Sequence, residues 1–181
     1  MGKEIVTKLD AAKRQMHEAI RLLFEGRDPV SIHTLAAAAA QVLADLCNSR
    51  GVGMPLRNGD RIREERRREW LQAMKASENF FKHADRDPDE SHDFNREATH
   101  FVLLDAVTMY AALTSRFTDE AGVFQSWFFL KYPDLLLDCE WKKTLLEHSA
   151  RLRVDPNDLG FFERAIRGKT LLGTNALKGF D

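Results

Sequence analysis

Apolar residues recur at intervals of three and four along most of the chain, which is the period of a helix with one buried side. The alternation of apolar and polar residues that is typical of β-strands is almost absent. A first helix is predicted from a capping Thr7 to Phe24. A second is predicted from Asp28-Pro29, an N-cap followed by proline at the first helical position, to about Asn48. The pattern therefore predicts an all-α fold.

The third and fourth predicted helices differ in how much of their surface is apolar. The third, about Arg61 to His83, carries a single apolar stripe that centres near Ser77. The fourth, Phe94 to Arg116, is apolar nearly all round, as is typical of a helix with neighbours on every side. We therefore expect the fourth helix to lie at the centre of a bundle and to be the most buried one.

Shorter helices are predicted to follow, over Asp119 to Leu130, Leu135 to Ser149, and Asp155-Pro156 to near Arg167-Gly168. The first four helices predict a four-helix-bundle core, and the aromatic segment 124–141 is expected to cover one side of it. We assign residues 1–118 to the bundle core. Residues 119–181 are assigned to C-terminal helices that pack on the same domain.

Composition narrows the class of protein. A chain of 181 residues that is 44% hydrophobic can bury a core, so one folded domain is expected. The 27 basic and 28 acidic side chains balance, which excludes a protein whose whole surface is basic. A local basic patch is still compatible with this composition. We expect that no segment is long and apolar enough to span a membrane and that the charged N-terminus carries no apolar leader. We expect a cytoplasmic protein in which Cys47 and Cys139 are buried thiols.

The main functional candidate is a polar pair at the end of the third helix, Asn79 and His83. Side chains four apart on a helix lie side by side, so an amide and an imidazole are presented together. Both project away from the apolar stripe, and a histidine can exchange a proton near neutral pH. The pair is ordinary helix surface in one interpretation, and in the other it faces a cleft or a partner subunit.

An acidic loop follows the pair, and its alternating aspartates resemble the start of a calcium loop: Asp85, Asp87 and Asp89. Glu90 occupies the position where such loops need glycine, and Pro88 stiffens the turn. A solvated turn is therefore favoured. A transition-metal site that combines these carboxylates with His83 or His92 is the alternative.

The third helix opens with an arginine-rich segment, 61–69, in which glutamates are interleaved. Glu64 and Arg68 are four apart in the favourable orientation for an ion pair. Mixed charge favours a solvated, ion-paired surface, because nucleic-acid arms carry blocks of one sign. Arg66, Arg67 and Arg68 leave a phosphate-binding surface open.

Other motifs are weaker. The sequence has no glycine-rich phosphate loop, no paired-cysteine metal spacing and no serine elbow, so no cofactor is expected. His33 is expected to be a polar core residue. His17 and His148 are expected at the surface.

An all-helical domain of this size with Asn-x-x-x-His at a helix end resembles the HEPN superfamily of helical bundles, which are often dimeric. The family's signature is an arginine followed one to two helical turns later by a histidine, often with a polar residue directly after the arginine. Asn79 and His83 match the polar position and the histidine, whereas Glu78 stands at the arginine position. Arg86 and His92 also fit the arginine–histidine window. The resemblance covers roughly Lys8 to Arg116.

In active members of that family the arginine and histidine act on the RNA backbone at a dimer interface. A carboxylate at position 78 repels phosphate, so the resemblance implies a non-catalytic or weakly active homodimeric module that binds RNA, a nucleotide or a protein partner. One alternative is an active metal-independent ribonuclease with Asn79, His83 and Arg86 as its catalytic residues. The other is a metal- or small-molecule-binding protein that uses His83, Asp85, Asp87 and His92.

Overall fold

The structure is a computed structural model that describes residues 2–54, 57–58, 64–85, 88–135 and 140–168, with the backbone alone at 64–67, 69–71, 73–74 and 141. Within these ranges the chain forms no β-strand and seven α-helices: α1 (Lys8–Phe24), α2 (Pro29–Arg50), α3 (Glu64–Lys82), α4 (Ala98–Thr114), α5 (Asp119–Lys131), α6 (Glu140–Leu152) and α7 (Leu159–Gly168). Residues Pro133–Leu135 add a short 3₁₀ turn. The predicted all-α fold class is confirmed.

The first two helices begin at the capping residues that the sequence indicated. The N–H of Asp10 donates to Thr7 Oγ1 at 3.1 Å, and the N–H of Thr7 donates to the Asp10 carboxylate at 3.3 Å, which completes a capping box. Asp28 accepts a hydrogen bond from the N–H of Ser31 at 2.7 Å and so caps α2. This helix ends at Gly51, whose φ of 66° is left-handed and favours glycine.

The predicted start of the last helix at Asp155-Pro156 is wrong, because α7 begins at Leu159. The carboxylate of Asp155 accepts a hydrogen bond from the N–H of Asn157 at 2.8 Å and forms a local turn instead of a helix cap. Asp158 caps α7 by accepting from the N–H of Phe161 at 3.2 Å. Helix α4 likewise begins later than predicted, at Ala98.

Helices α1, α2, α4 and α5 pack together as the core. α2 and α4 run parallel, because His33 in the second turn of α2 meets Thr99 at the start of α4. α1 and α5 also run parallel, since His17 contacts Thr118 and Phe24 contacts Trp127 further along both helices. α3 lies in the long crossover from α2 to α4 and packs against both of them.

The burial of α4 agrees with its predicted central position, since residues 102–107 are buried without a break. α5 has a longer buried run, 121–128, so it is not a mere cover for the bundle. Its side chains Phe124, Trp127 and Phe128 are at most 1% exposed. α5, which is the first part of the aromatic segment expected to cover one side of the bundle, packs directly against α1 and α4.

The expectation that no segment is long and apolar enough to cross a membrane is wrong for α2. This helix has 22 residues and meets the criteria of length and composition, and half of its most apolar window is buried inside the fold. The helix includes the run Ala36 to Ala40, whose small side chains let α1 and α4 approach closely. A core helix meets the same criteria as a membrane span, so this property is only weak evidence about location.

Candidate functional site

The last turns of α3 have a buried side and an exposed side. Ser77, the predicted centre of the apolar stripe, is 5% exposed. Asn79 and His83 lie on the opposite side, and both are exposed. The N–H of His83 donates to the C=O of Asn79 at 3.2 Å, which extends the helical geometry by one residue and keeps both side chains on one face. The structure thus places the pair away from the core, and its functional role stays a prediction.

The exposed side of α3 carries a row of polar side chains. At 100° per residue they fall within about a third of the helix circumference, and they are Arg68, Gln72, Lys75, Ala76, Asn79, Lys82 and His83. We call this set the α3 stripe. It spans about 22 Å, at about 1.5 Å per residue. The exposed side chains described on this face include three cations, two amides and an imidazole, and no carboxylate.

Glu78, which stands where the HEPN signature has arginine, lies at the flank of the stripe. Its carboxylate accepts a hydrogen bond from Lys82 Nζ at 2.6 Å, and its side chain is only 14% exposed. This pair neutralises part of the positive charge of Lys82. Arg68 and Lys75 carry the rest of the positive charge of the stripe.

Beneath the stripe lies a cluster of histidine and phenylalanine rings contributed by α2, by α3 and by the loop before α4: His33, Phe80, Phe81, His92 and Phe94. The ring of His92 stacks on Phe80 with centroids 5.1 Å apart, and its Nε2 lies 2.8 Å from Ser77 Oγ. The ring of His33 meets Phe94 edge-on at 5.3 Å. These contacts hold the loop against the end of α3.

His33 is the polar core residue that the sequence indicated. It is 1% exposed, and its Nδ1 lies 3.0 Å from Thr99 Oγ1, while Nε2 is buried with no hydrogen-bond partner among the described residues. Burial lowers the pKa of His33 below its ordinary value, and the nearby carboxylate of Glu78 opposes part of that change. The ring is therefore neutral at pH 7 and serves packing.

Both alternative sites include a residue that lies outside the described ranges, Arg86 in the catalytic set and Asp87 in the metal set. The catalytic set of Asn79, His83 and Arg86 therefore stays a prediction. Asp85 is exposed, and the Nε2 of His92 is engaged by Ser77. Across the described ranges, no group of three or more histidine, cysteine, aspartate or glutamate side chains is arranged to hold a metal ion.

A buried carboxylate in α4 escaped the sequence analysis. Asp105 is 1% exposed, and its Oδ2 accepts from Arg57 Nη1 at 3.4 Å, while Oδ1 has no partner among the described residues. Burial raises the pKa of Asp105 to about 6, although Arg57 opposes this. Burial and the charge of Asp105 also raise the pKa of the Cys47 thiol, which is buried as predicted; Cys139 lies outside the described residues. The missed signal was that Asp105 is the one charged residue in α4.

Two further histidines hold helices together. His17, expected at the surface, is 8% exposed because the start of α5 packs over it, and its Nε2 lies 2.9 Å from Thr118 Oγ1. His100 has its Nδ1 2.8 Å from the hydroxyl of Tyr132. Burial lowers the pKa of His100 to about 4 and raises that of Tyr132 to about 12, so neither is poised to transfer a proton at pH 7.

Comparison of the chain with known protein families, with curated proteins and with solved structures gave no match. The resemblance to the HEPN superfamily therefore rests on residues 78–83 and on the helical architecture alone. Function has to be argued from the chemistry of the site, because a helical bundle by itself serves many functions.

Proposed function

We propose that this protein is a non-catalytic, HEPN-like module that binds RNA along the α3 stripe. The observation that carries the proposal is the composition of that stripe, in which cations, amides and one imidazole share an exposed helix face. Arginine, lysine, asparagine and glutamine are among the side chains that proteins use to contact the phosphates and sugars of nucleic acids. The stripe supports a track for an RNA backbone better than it supports a closed pocket for a small molecule.

The charge of the stripe is local, since the whole chain has a net charge of -1. A local cationic track gives modest affinity that depends strongly on salt, because each neutralised phosphate releases counterions. If Arg68 and Lys75, the two cations of the stripe that Glu78 does not neutralise, each contact one phosphate, the logarithm of the binding constant falls against the logarithm of salt concentration with a slope of about -1.4 for a single strand.

The surroundings of Glu78 support binding without cleavage. Cleavage of RNA builds negative charge around phosphorus, and efficient enzymes direct cations or hydrogen-bond donors at that charge. Glu78 instead takes up the ammonium group of Lys82, one residue before His83. The site thus keeps an imidazole and an amide but loses cationic strength where the reaction needs it.

We also propose that the protein is a cytoplasmic homodimer, as expected from the sequence. A homodimer with a two-fold axis carries two copies of the α3 stripe, and so offers two tracks for RNA. Light scattering should give the mass of a dimer, and a mass that stays monomeric at all concentrations would remove this part of the proposal.

The test of the proposed function is fluorescence anisotropy with a labelled oligouridylate at several salt concentrations. The double variant Arg68→Gln, Lys75→Gln should weaken binding and reduce the magnitude of the salt slope by about 1.4, since each lost contact contributes about 0.7. The matched control is Lys143→Gln, which removes an exposed cation on α6, far along the chain from the stripe. Wild-type protein that binds no RNA at low salt, or a control variant that behaves like the double variant, would contradict the proposal.

A further inference from the structure

The ring of Phe80 lies at the border between the buried side of α3 and the α3 stripe, and it is only half-buried. Its side facing the core is occupied. His92 stacks on it with an interplanar angle of 29°, and the hydrogen bond between His92 and Ser77 holds that ring on the Ser77 side of the helix. Phe81 meets Phe80 edge-on at 6.0 Å. The ring of Phe80 is thus fixed in place from beneath.

The other side of Phe80 borders the stripe. Residues three and four apart on a helix are neighbours, which places Ala76 and His83 on the side of Phe80 away from Ser77. Both of these residues are exposed. Ala76 has only a methyl group, so its own side chain covers little of the ring, and the exposed polar side chains of Asn79 and His83 lie on the same side of the helix.

A fixed aromatic ring beside a row of cations is the combination that proteins use to bind single-stranded nucleic acid. The cations follow the backbone while bases stack on the rings, and stacking tolerates any base because every base has a flat π-face. In a duplex the faces of the bases are already stacked on one another, so such a ring has nothing to bind. The site therefore discriminates by strandedness.

We infer that Phe80, supported from beneath by His92, is a stacking site for one nucleobase, and that the RNA bound along the α3 stripe is single-stranded. This inference rests on the proposed function. In the bound state one base lies on the ring of Phe80, and the phosphates on either side of it run along the stripe. Asn79 and His83 are the side chains placed to hydrogen-bond to the edge of that base or to its ribose.

The test compares three ligands by fluorescence anisotropy: an oligouridylate, an abasic strand of the same length and charge, and an RNA duplex. Wild-type protein should bind the oligouridylate more tightly than either of the others. Phe80→Leu should keep the apolar volume but lose the aromatic face, and affinity for the oligouridylate should fall about five- to a hundredfold, the usual loss for one stacked base. Affinity for the abasic strand should stay the same, and Phe80→Tyr should bind like wild type.

Phe161→Leu is the matched control, because Phe161 is also half-buried and meets its neighbour Phe162 edge-on at 5.2 Å. It should leave the affinity for every ligand unchanged. Thermal melting of each variant separates loss of a stacking ring from loss of the fold. Equal affinity for the oligouridylate and the abasic strand, or unchanged affinity in Phe80→Leu, would overturn the stacking site alone. Failure of all three ligands to bind would overturn the proposed function with it.

Discussion

Helices α3 and α4 are consecutive in the chain, yet they use their polar residues in opposite ways. α4 is buried over 102–107, and its one charged residue, Asp105, is enclosed there with Arg57 as its partner among the described residues. α3 buries Ser77 and exposes a row of cations and amides on the opposite side. The lone polar residue of an apolar helix, Asp105, therefore lies in the interior of the protein. The polar residues of α3 recur with the period of one helix face and lie at the surface, where a ligand can reach them.

The difference between the two helices is tested most directly by placing the same negative charge on each of them. Leu104→Asp puts an unpaired charge at a position that is 7% exposed, and it should unfold the protein because such a charge costs several kcal/mol. Gln72→Asp puts a carboxylate on the exposed side of α3 and should change stability by less than about 0.5 kcal/mol. Thermal melting followed by circular dichroism measures both, and an unchanged melting temperature in Leu104→Asp would show that α4 is not central.

The second prediction concerns Asp105. Because burial raises its folded pKa to about 6, from the ordinary value of 3.8, the folded state holds this proton more tightly than the unfolded state does. The resulting stabilisation is present below about pH 4 and is lost as pH rises through about 6, with a size on the order of 3 kcal/mol. Asp105→Asn should remove this dependence from a series of urea titrations. The exposed Asp93→Asn is the control and should leave it in place.

His100, in the first turn of α4, should act in the opposite direction. Burial lowers its folded pKa to about 4, from the ordinary value of 6.5, so the folded state resists protonation. Its stabilisation is present above about pH 6.5 and is lost as pH falls towards 4, on the order of 2 kcal/mol after allowance for its partial exposure. His100→Gln should reduce the acid sensitivity of folding in the same titrations. If the free energy of unfolding of His100→Gln falls at acid pH as steeply as that of the wild type, His100 is already hydrated in the folded state.

The smallest effect on stability is expected for substitutions on the exposed side of α3. There the informative measurement is the cleavage of RNA. His83→Ala should leave the melting temperature nearly unchanged, within about 0.5 kcal/mol, because the side chain is exposed. Wild-type protein should show no cleavage of a labelled RNA, since Glu78 and Lys82 neutralise each other beside His83. Glu78→Arg should gain cleavage, and adding His83→Ala should abolish that gain. Cleavage by wild type that survives His83→Ala would refute the assignment of both residues.

Local signals predicted the parts of this fold that local contacts determine. The caps at Thr7 and Asp28 interact with residues three positions away, and both helix starts were found from sequence. The exposed position of Asn79 and His83 followed from the period of one helix in the same way.

Contacts between distant residues were not predicted. His33 meets Thr99 across 66 positions, and no local pattern records that pairing. The burial of His17 depends in the same way on the packing of α5, which lies about a hundred residues later in the chain. The cluster beneath the stripe, which positions Phe80, is of this kind and became visible only in three dimensions.

The parallel arrangement of α2 and α4 has a consequence for the order in which the protein folds. α1 and α2 are joined by the four residues 25–28 and run antiparallel, so they can pair almost as soon as both exist. Pairing of α2 with α4 must close a loop of 66 residues. Each doubling of loop length adds about 0.6 kcal/mol of entropic cost, so closing this loop costs roughly 2 to 3 kcal/mol more than closing the short connection between α1 and α2. We expect the α1–α2 hairpin to form first and α4 to pack against it in a later step. During that interval the side of α2 that later packs against α4 is uncovered, and we expect a folding intermediate of this chain to aggregate or to meet a chaperone through that side.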